Sequence, residues 1–101
     1  MTKSDIVNLV SNATGLTKVE TETVLDGFIK SIVSSLEKGE KVEIRGFGSF
    51  VVKKRSAREA RNPSTNEVVQ LKDRYIPSFK VSKILKKKVN ESILENLDRS
   101  Q

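Results

Sequence analysis

The sequence predicts an α+β fold, and three observations predict it. Residues 1–39 carry two capped stripes of apolar residues at helical spacing. Residues 41–81 alternate apolar and polar positions as strands do, around a long basic insertion. From Ser82 onward a last apolar stripe returns at helical spacing. The 101 residues read as one domain (1–101) in three parts. These are a helical dimerisation region (1–39), a sheet (41–81) bearing an arm at 53–76, and a C-terminal helix (82–97).

The first helix opens on Thr2-Lys3-Ser4-Asp5, a capping box with Thr2 as N-cap and Asp5 reaching back. Ile6, Leu9, Val10 and Ala13 then form its stripe, and Gly15 ends it in a left-handed conformation. Thr17-Lys18-Val19-Glu20 repeats the start signal. Val24, Leu25, Phe28, Ile29, Ile32, Val33 and Leu36 follow at threes and fours, and Gly39 stands where a C-terminal cap belongs. That stripe is wider than one small partner helix needs, so it points to contact with the first helix and with another chain. As a DNA-reading helix-turn-helix the pair is poorly equipped, because after its first turn the second helix offers only Lys30 and Lys38.

Lys41-Val42-Glu43-Ile44-Arg45 alternates as a strand with one buried face. Gly46-Phe47-Gly48 is a turn, and Ser49-Phe50-Val51-Val52 the next strand. Phe47 at the bend needs burial, for which a dimer core is a suitable place. Arg45 can be an outward strand residue paired with Glu43, or a contact residue oriented by it. Tyr75 to Val81 brings the chain back as a short strand with Phe79 buried. Ser82 caps a helix whose stripe is Ile84, Leu85, Val89, Ile93, Leu94 and Leu97, and the tail Asp98-Arg99-Ser100-Gln101 is expected to fray.

The arm, Lys53 to Ile76, carries Lys53, Lys54, Arg55, Arg58, Arg61, Lys72 and Arg74 against Glu59, Glu67 and Asp73. Its centre, Arg61-Asn62-Pro63-Ser64-Thr65-Asn66, is turn-forming, and Asn66 takes a positive φ more readily than most residues. Strict alternation puts Arg55 and Arg61 on one face and Arg58 on the other, so a bulge or strong twist is needed to bring all three together. A two-stranded ribbon of this kind is marginal in water, and mobility is expected until an anion lies in it.

Net charge is +6 and unevenly placed: −1 over residues 1–52, +9 over 53–88 and −2 over 89–101. So local an excess favours a polyanion, either nucleic acid or an anionic membrane face. Lys80, Lys83, Lys86, Lys87 and Lys88 extend the basic segment into the last helix. They read either as solubilising or as contacts to phosphates flanking the arm's site. With neither His nor Cys there is no zinc-ligand set and no disulfide. Oligomerisation is the remaining common support for so small a body. No phosphate loop, paired-carboxylate motif or nucleophile elbow is present, and Ser and Thr sit mainly at caps and turns, so an enzyme is not expected. Nor are a cofactor, a metal, a small-molecule substrate or a membrane span. The missing cysteine suits the reducing cytoplasm.

Three motifs in order then carry a resemblance. They are Glu43-Ile44-Arg45-Gly46-Phe47-Gly48-Ser49-Phe50, Arg55-x-x-Arg58-x-x-Arg61-Asn62-Pro63-x-Thr65, and Pro77-x-Phe79-Lys80. Over about residues 1–90 the chain resembles the bacterial histone-like HU and integration host factor family. The Met-Thr-Lys-Ser start and the run from Val42 to Phe50 look especially like an integration host factor beta-type subunit. The resemblance implies an intertwined dimer, either a homodimer or a heterodimer with a paralogous subunit. It has a helical base, a β-saddle and two β-ribbon arms that hold double-stranded DNA by the minor groove. HU and integration host factor are themselves among the architectural proteins for which apolar wedging and bending are described. Carried over residue by residue, the DNA-binding set is Arg45, Lys53, Lys54, Arg55, Arg58, Arg61, Asn62, Pro63, Lys72, Arg74, Lys80, Lys83 and Lys86. Pro63 is the intercalating wedge, and Phe28, Ile29, Ile32, Phe47, Phe50 and Phe79 form the dimer core. The nucleoid is the implied location. The family often has Gly-Arg before Asn-Pro and Gly after Thr, whereas here Glu59-Ala60 precede Arg61 and Asn66 replaces the glycine. Glu59 predicts slightly weaker binding. Residues 91–101 run past the usual end of the family. Two rival readings remain: a coat or interaction protein whose arm binds RNA or an anionic membrane, and a packing protein that covers DNA without bending it.

Overall fold

The computed structural model describes residues 1–99. Helix α1 (Lys3–Thr14) starts from Thr2, whose Oγ1 accepts the Asp5 N–H while the Asp5 carboxylate accepts the Thr2 N–H at 2.9 Å. Gly15 ends it at φ 81°. Helix α2 (Lys18–Glu37) starts from Thr17. It closes in a Schellman turn, with the Gly39 N–H on the Leu36 carbonyl and the Glu40 N–H on the Ser35 carbonyl, Gly39 having φ 77°. Ser11 Oγ donates to the Leu16 carbonyl at 2.6 Å, so the α1–α2 turn is held from inside. At the other end of the pair Lys3 Nζ lies 2.5 Å from Asp26 and 3.6 Å from Glu22.

Strands β1 (Val42–Ile44), β2 (Gly48–Arg55) and β5 (Arg74–Val81) form an antiparallel sheet in the order β1-β2-β5. Strands β3 (Arg58–Arg61) and β4 (Val68–Leu71) form a separate two-stranded ladder. Pairing Phe50 with Phe79 and Val52 with Pro77 puts these apolar residues on one face. Val52, Tyr75 and Pro77 line a crevice with Val33 and Leu36 of α2, so this is the face turned to the helices. Pro77, which cannot donate to a ladder, stands in an edge strand. The Phe79 ring packs between Phe47 and Phe50, with centroids 5.0 and 4.9 Å away. Gly48 is required beneath it. A Cβ there would strike the Lys80 carbonyl oxygen and come within 2.6 Å of the Phe79 ring.

Several expectations change. The strand expected over 41–45 is only Val42–Ile44, because Arg45, Gly46 and Phe47 turn the chain, Gly46 at φ 80°. The next strand begins at Gly48 and continues without interruption into the expected arm as far as Arg55. The last helix, α3 (Lys83–Arg99), outlasts its expected end at Leu97. Asp98 and Arg99 are helical instead of frayed, since Arg99 Nη2 holds Glu95 at 2.8 Å one turn back; Ser100 and Gln101 lie outside the described residues. Phe79, expected to be buried, is 41% exposed in a single chain. Among the described hydrophobic residues only Val7 is buried, while Phe28, Ile29, Val33 and Phe47 are all more than two-fifths exposed. The apolar faces exist, but one chain does not cover them.

Candidate nucleic-acid interface

The arm is built in two stages. The β2–β5 ladder ends at Arg55 opposite Arg74, and the β3–β4 ladder starts at Arg58 opposite Leu71. Register is the same on both sides of the gap, so no residue is inserted and no bulge brings the three arginines to one surface. Instead, Ser56-Ala57 and Lys72-Asp73 leave the ladder. The Asp73 carboxylate spans the break, accepting the Ala57 N–H at 2.5 Å and lying 3.8 Å from Lys54 Nζ. Asp73 was not singled out by sequence reasoning, where it counted only as a charge. Its place between Lys72 and Arg74, opposite a Ser-Ala pair, was the available signal.

Alternation distributes the basic residues. Ser49, Val51, Lys53 and Arg55 pair with Lys80, Ser78, Ile76 and Arg74, which makes the face turned away from α2 strongly basic. Lys54 pairs with Tyr75 on the opposite, helix-side face, apart from Lys53 and Arg55. Beyond the break Arg61 shares a face with Glu59 and Gln70, and Arg58 lies on the other with Ala60. The three arginines of the motif are therefore not gathered on one surface of a flat ribbon. Glu59, the misfit of the sequence reading, accepts a hydrogen bond from Gln70 Nε2 at 3.0 Å. Arg55, Arg58 and Arg74 converge instead at the break, where with Ser56 and Ala57 they line an open cavity of about 460 Å³. Arg74 Nη1 is buried there without a hydrogen-bond partner.

The tip closes on Asn62. Its N–H donates to the Glu67 carbonyl (2.9 Å), its carbonyl accepts from Asn66 (2.7 Å) and its Oδ1 accepts the Ser64 N–H (2.9 Å). Asn66 adopts φ 60°, the left-handed region expected of it, and its Oδ1 accepts from Arg61 Nη1 at 3.3 Å. Pro63 is left exposed at the outer end of the turn. Near the body, the Ser82 N–H and Oγ donate to Phe47 and Gly46 carbonyls at 3.0 Å each, and Ser82 Oγ caps Leu85 N–H at 3.1 Å. This brings the Arg45 turn against the start of α3, where Lys83 and Lys86 follow Lys80. Glu43 reaches Lys41, at 3.7 Å, and not Arg45, so the pairing considered for Arg45 is not formed.

The family model described as "Bacterial DNA-binding protein" matches residues 1–90. The DNA-binding protein HU of Clostridium pasteurianum is 42% identical over 91 residues, 90% of this chain and all of the relative. The chain belongs to the HU-type bacterial DNA-binding family. Among solved structures of this HU type, the Anabaena HU–DNA cocrystal matches with a TM-score of 0.82 at 36% identity, over 88% of this chain and 97% of that one. A mutant of transcription factor 1, solved in solution, matches with a TM-score of 0.66 at 31% identity, over 97% of this chain and 99% of that one. The HU resemblance read from the motifs thus holds, as does the α+β class with an antiparallel arm.

Proposed function

We propose that two copies of this chain, or one copy and a paralogous chain, bind double-stranded DNA through the minor groove and bend it. The observation that carries the reading is the arm: a two-stranded ribbon, strongly basic at its root and carrying Arg58 and Arg61 beyond the break, with Pro63 exposed at its tip. The HU fold, one face bearing Lys53, Arg55, Arg74 and Lys80, and the lysine-rich start of α3 beside it support a continuous path for phosphates. Neutralising phosphates with these side chains releases counterions, so binding weakens steeply with salt.

The missing core supports dimerisation. The chain exposes 8688 Å², whereas a compact monomer of 11.3 kDa exposes about 5,700 Å². Its radius of gyration is 19.7 Å, against about 13 Å for a compact domain of this length. Part of the excess is the arm. The rest is apolar surface of the kind found at obligate interfaces, centred on Phe28, Ile29, Ile32, Phe47, Phe50 and Phe79. The 101 residues act as one unit, without a catalytic step, at the nucleoid of the cytoplasm.

In an HU-type complex the wedge unstacks a base step at a cost of about a few kcal/mol, offset by contacts that the bent duplex makes with the body. The exposure of Pro63 at the tip supports that role for it, and Arg61, Arg58 and Arg55 are the proposed contacts to the groove and its phosphates. Sequence preference then arises mainly from DNA deformability. Energy transfer between dyes at the ends of a short duplex tests this directly. Pro63→Ala should lower the bend while leaving salt-dependent affinity largely intact. A parent protein that binds the duplex and leaves it straight would overturn bending in favour of simple coating.

A further inference from the structure

The outer ladder of the arm carries a carboxylate with no cation to hold it. Glu59, Arg61, Val68 and Gln70 share one face of the β3–β4 ladder, and Glu59 and Gln70 stand directly opposite each other, both exposed. Glu59 makes no ion pair among the described residues, although Arg61 is two positions away on the same face. Arg61 turns to Asn66 instead. The Glu59 carboxylate accepts from Gln70 Nε2 through Oε1 at 3.0 Å, and its Oε2 accepts nothing among the described residues. One exposed hydrogen bond of this kind stabilises a ribbon little, while a negative charge on an arm that meets phosphates opposes binding. Holding the ribbon together is therefore a poor account of this residue.

The pair fixes what this face offers. An ionised carboxylate only accepts, so the Gln70 amide has to turn its NH2 to Glu59 and its Oε1 away. Glu59 Oε2 and Gln70 Oε1 are then neighbouring acceptors with no donor of their own. In the minor groove an A·T pair shows only acceptors, adenine N3 and thymine O2, so it meets this face acceptor to acceptor. A G·C pair adds the one donor in that groove, the guanine 2-amino group.

We propose that Glu59, positioned by Gln70, makes the arm discriminate among base pairs, accepting the 2-amino group of guanine and disfavouring A·T steps. The carboxylate lowers affinity for every duplex and lowers it least over guanine. This rests on the minor-groove reading above, and adds a direct reading of one base edge to the preference that arises from DNA deformability.

Duplexes with inosine in place of guanine test it, because an I·C pair keeps the major-groove edge of G·C and lacks only the minor-groove amino group. Affinities are read by fluorescence anisotropy at low salt. The guanine-to-inosine affinity ratio of the parent should exceed that of Glu59→Ala about fivefold. Glu59→Ala should gain most on the inosine duplex. Gln70→Ala keeps the charge but loses the positioning, and should lose most of that ratio; a ratio kept in full overturns the pair as the reading unit. Both side chains are exposed on the arm, so neither change touches the fold of the body. Equal ratios in the parent and Glu59→Ala refute the inference. If that shared ratio differs from one, the arm still meets the minor groove and the proposed function stands. If it equals one while 7-deazaguanine, altered only on its major-groove edge, weakens binding, the minor-groove reading falls as well.

Discussion

Replacing Gly48 by alanine should be one of the most damaging single-methyl changes available in this chain. The added Cβ would meet the Lys80 main-chain oxygen and sit 2.6 and 2.7 Å from two atoms of the Phe79 ring. The carbonyl is fixed by the β2–β5 ladder, and the ring is held between Phe47 and Phe50. Neither can yield without opening the ladder or the aromatic cluster that faces the proposed partner. Overpacking of a tight core costs about 1–3 kcal/mol, and a clash with backbone belongs at or above the top of that range. For a domain of this size each kcal/mol shifts the melting temperature by about 4–8 °C, so a fall of roughly 12 °C or more is expected. Thermal unfolding followed by circular dichroism, at one fixed protein concentration because dimers melt concentration-dependently, is the assay. Gly27→Ala is the control. It lies within α2 with open space around it, and should gain up to about 1 kcal/mol from helix propensity. If Gly48→Ala melts within about 2 °C of the parent, the close approach of β2 to β5 is not what requires glycine there.

Three further outcomes are expected. Arg61→Ala should weaken DNA binding almost equally for all sequences and reduce the slope of log affinity against log salt by about one. Glu59→Gln removes a negative charge from the arm but keeps an oxygen for Gln70. It should tighten binding roughly two- to fivefold at low salt, as for an exposed charge interaction of about 0.5–1 kcal/mol, and the gain should vanish at high salt. The hydrogen bond to Asp26, with that carboxylate's charge and Glu22 behind it, holds the Lys3 ammonium above its ordinary value of 10.5. A raised pKa stabilises the fold fully below the unfolded value and loses that contribution as pH climbs through the folded one. Lys3→Gln should therefore melt lower than the parent at neutral pH, with the difference closing in alkaline buffer beyond 10.5.

Much of the helical base was legible because its signals are local. Thr2, Asp5, Gly15, Thr17 and Gly39 act within one turn of themselves, so reading them needs no partner. The same holds for Asn66, whose backbone is set by the tip alone. Strand limits were less legible. Arg45 continues the alternation of Val42 to Ile44 and yet belongs to a turn, because Gly46 and the Ser82 bonds reverse the chain there. The two-stage arm was hidden for a similar reason. Asp73 and Ala57 are 16 residues apart, and alternation continues through the break as though the ladder were unbroken.

Residue types and their order alone therefore determined the α+β class, the basic arm with its proline tip and the +9 segment running into the last helix. Each depends on composition or on neighbours within a few residues. Only the tertiary structure decided that the Lys53–Arg55 face turns away from α2, that Asp73 pins the root of the arm, that Glu59 is held by Gln70, and that Gly48 is needed beneath Phe79. These depend on register between segments far apart in the chain, and a shift of one residue would move every side chain of a strand to its other face.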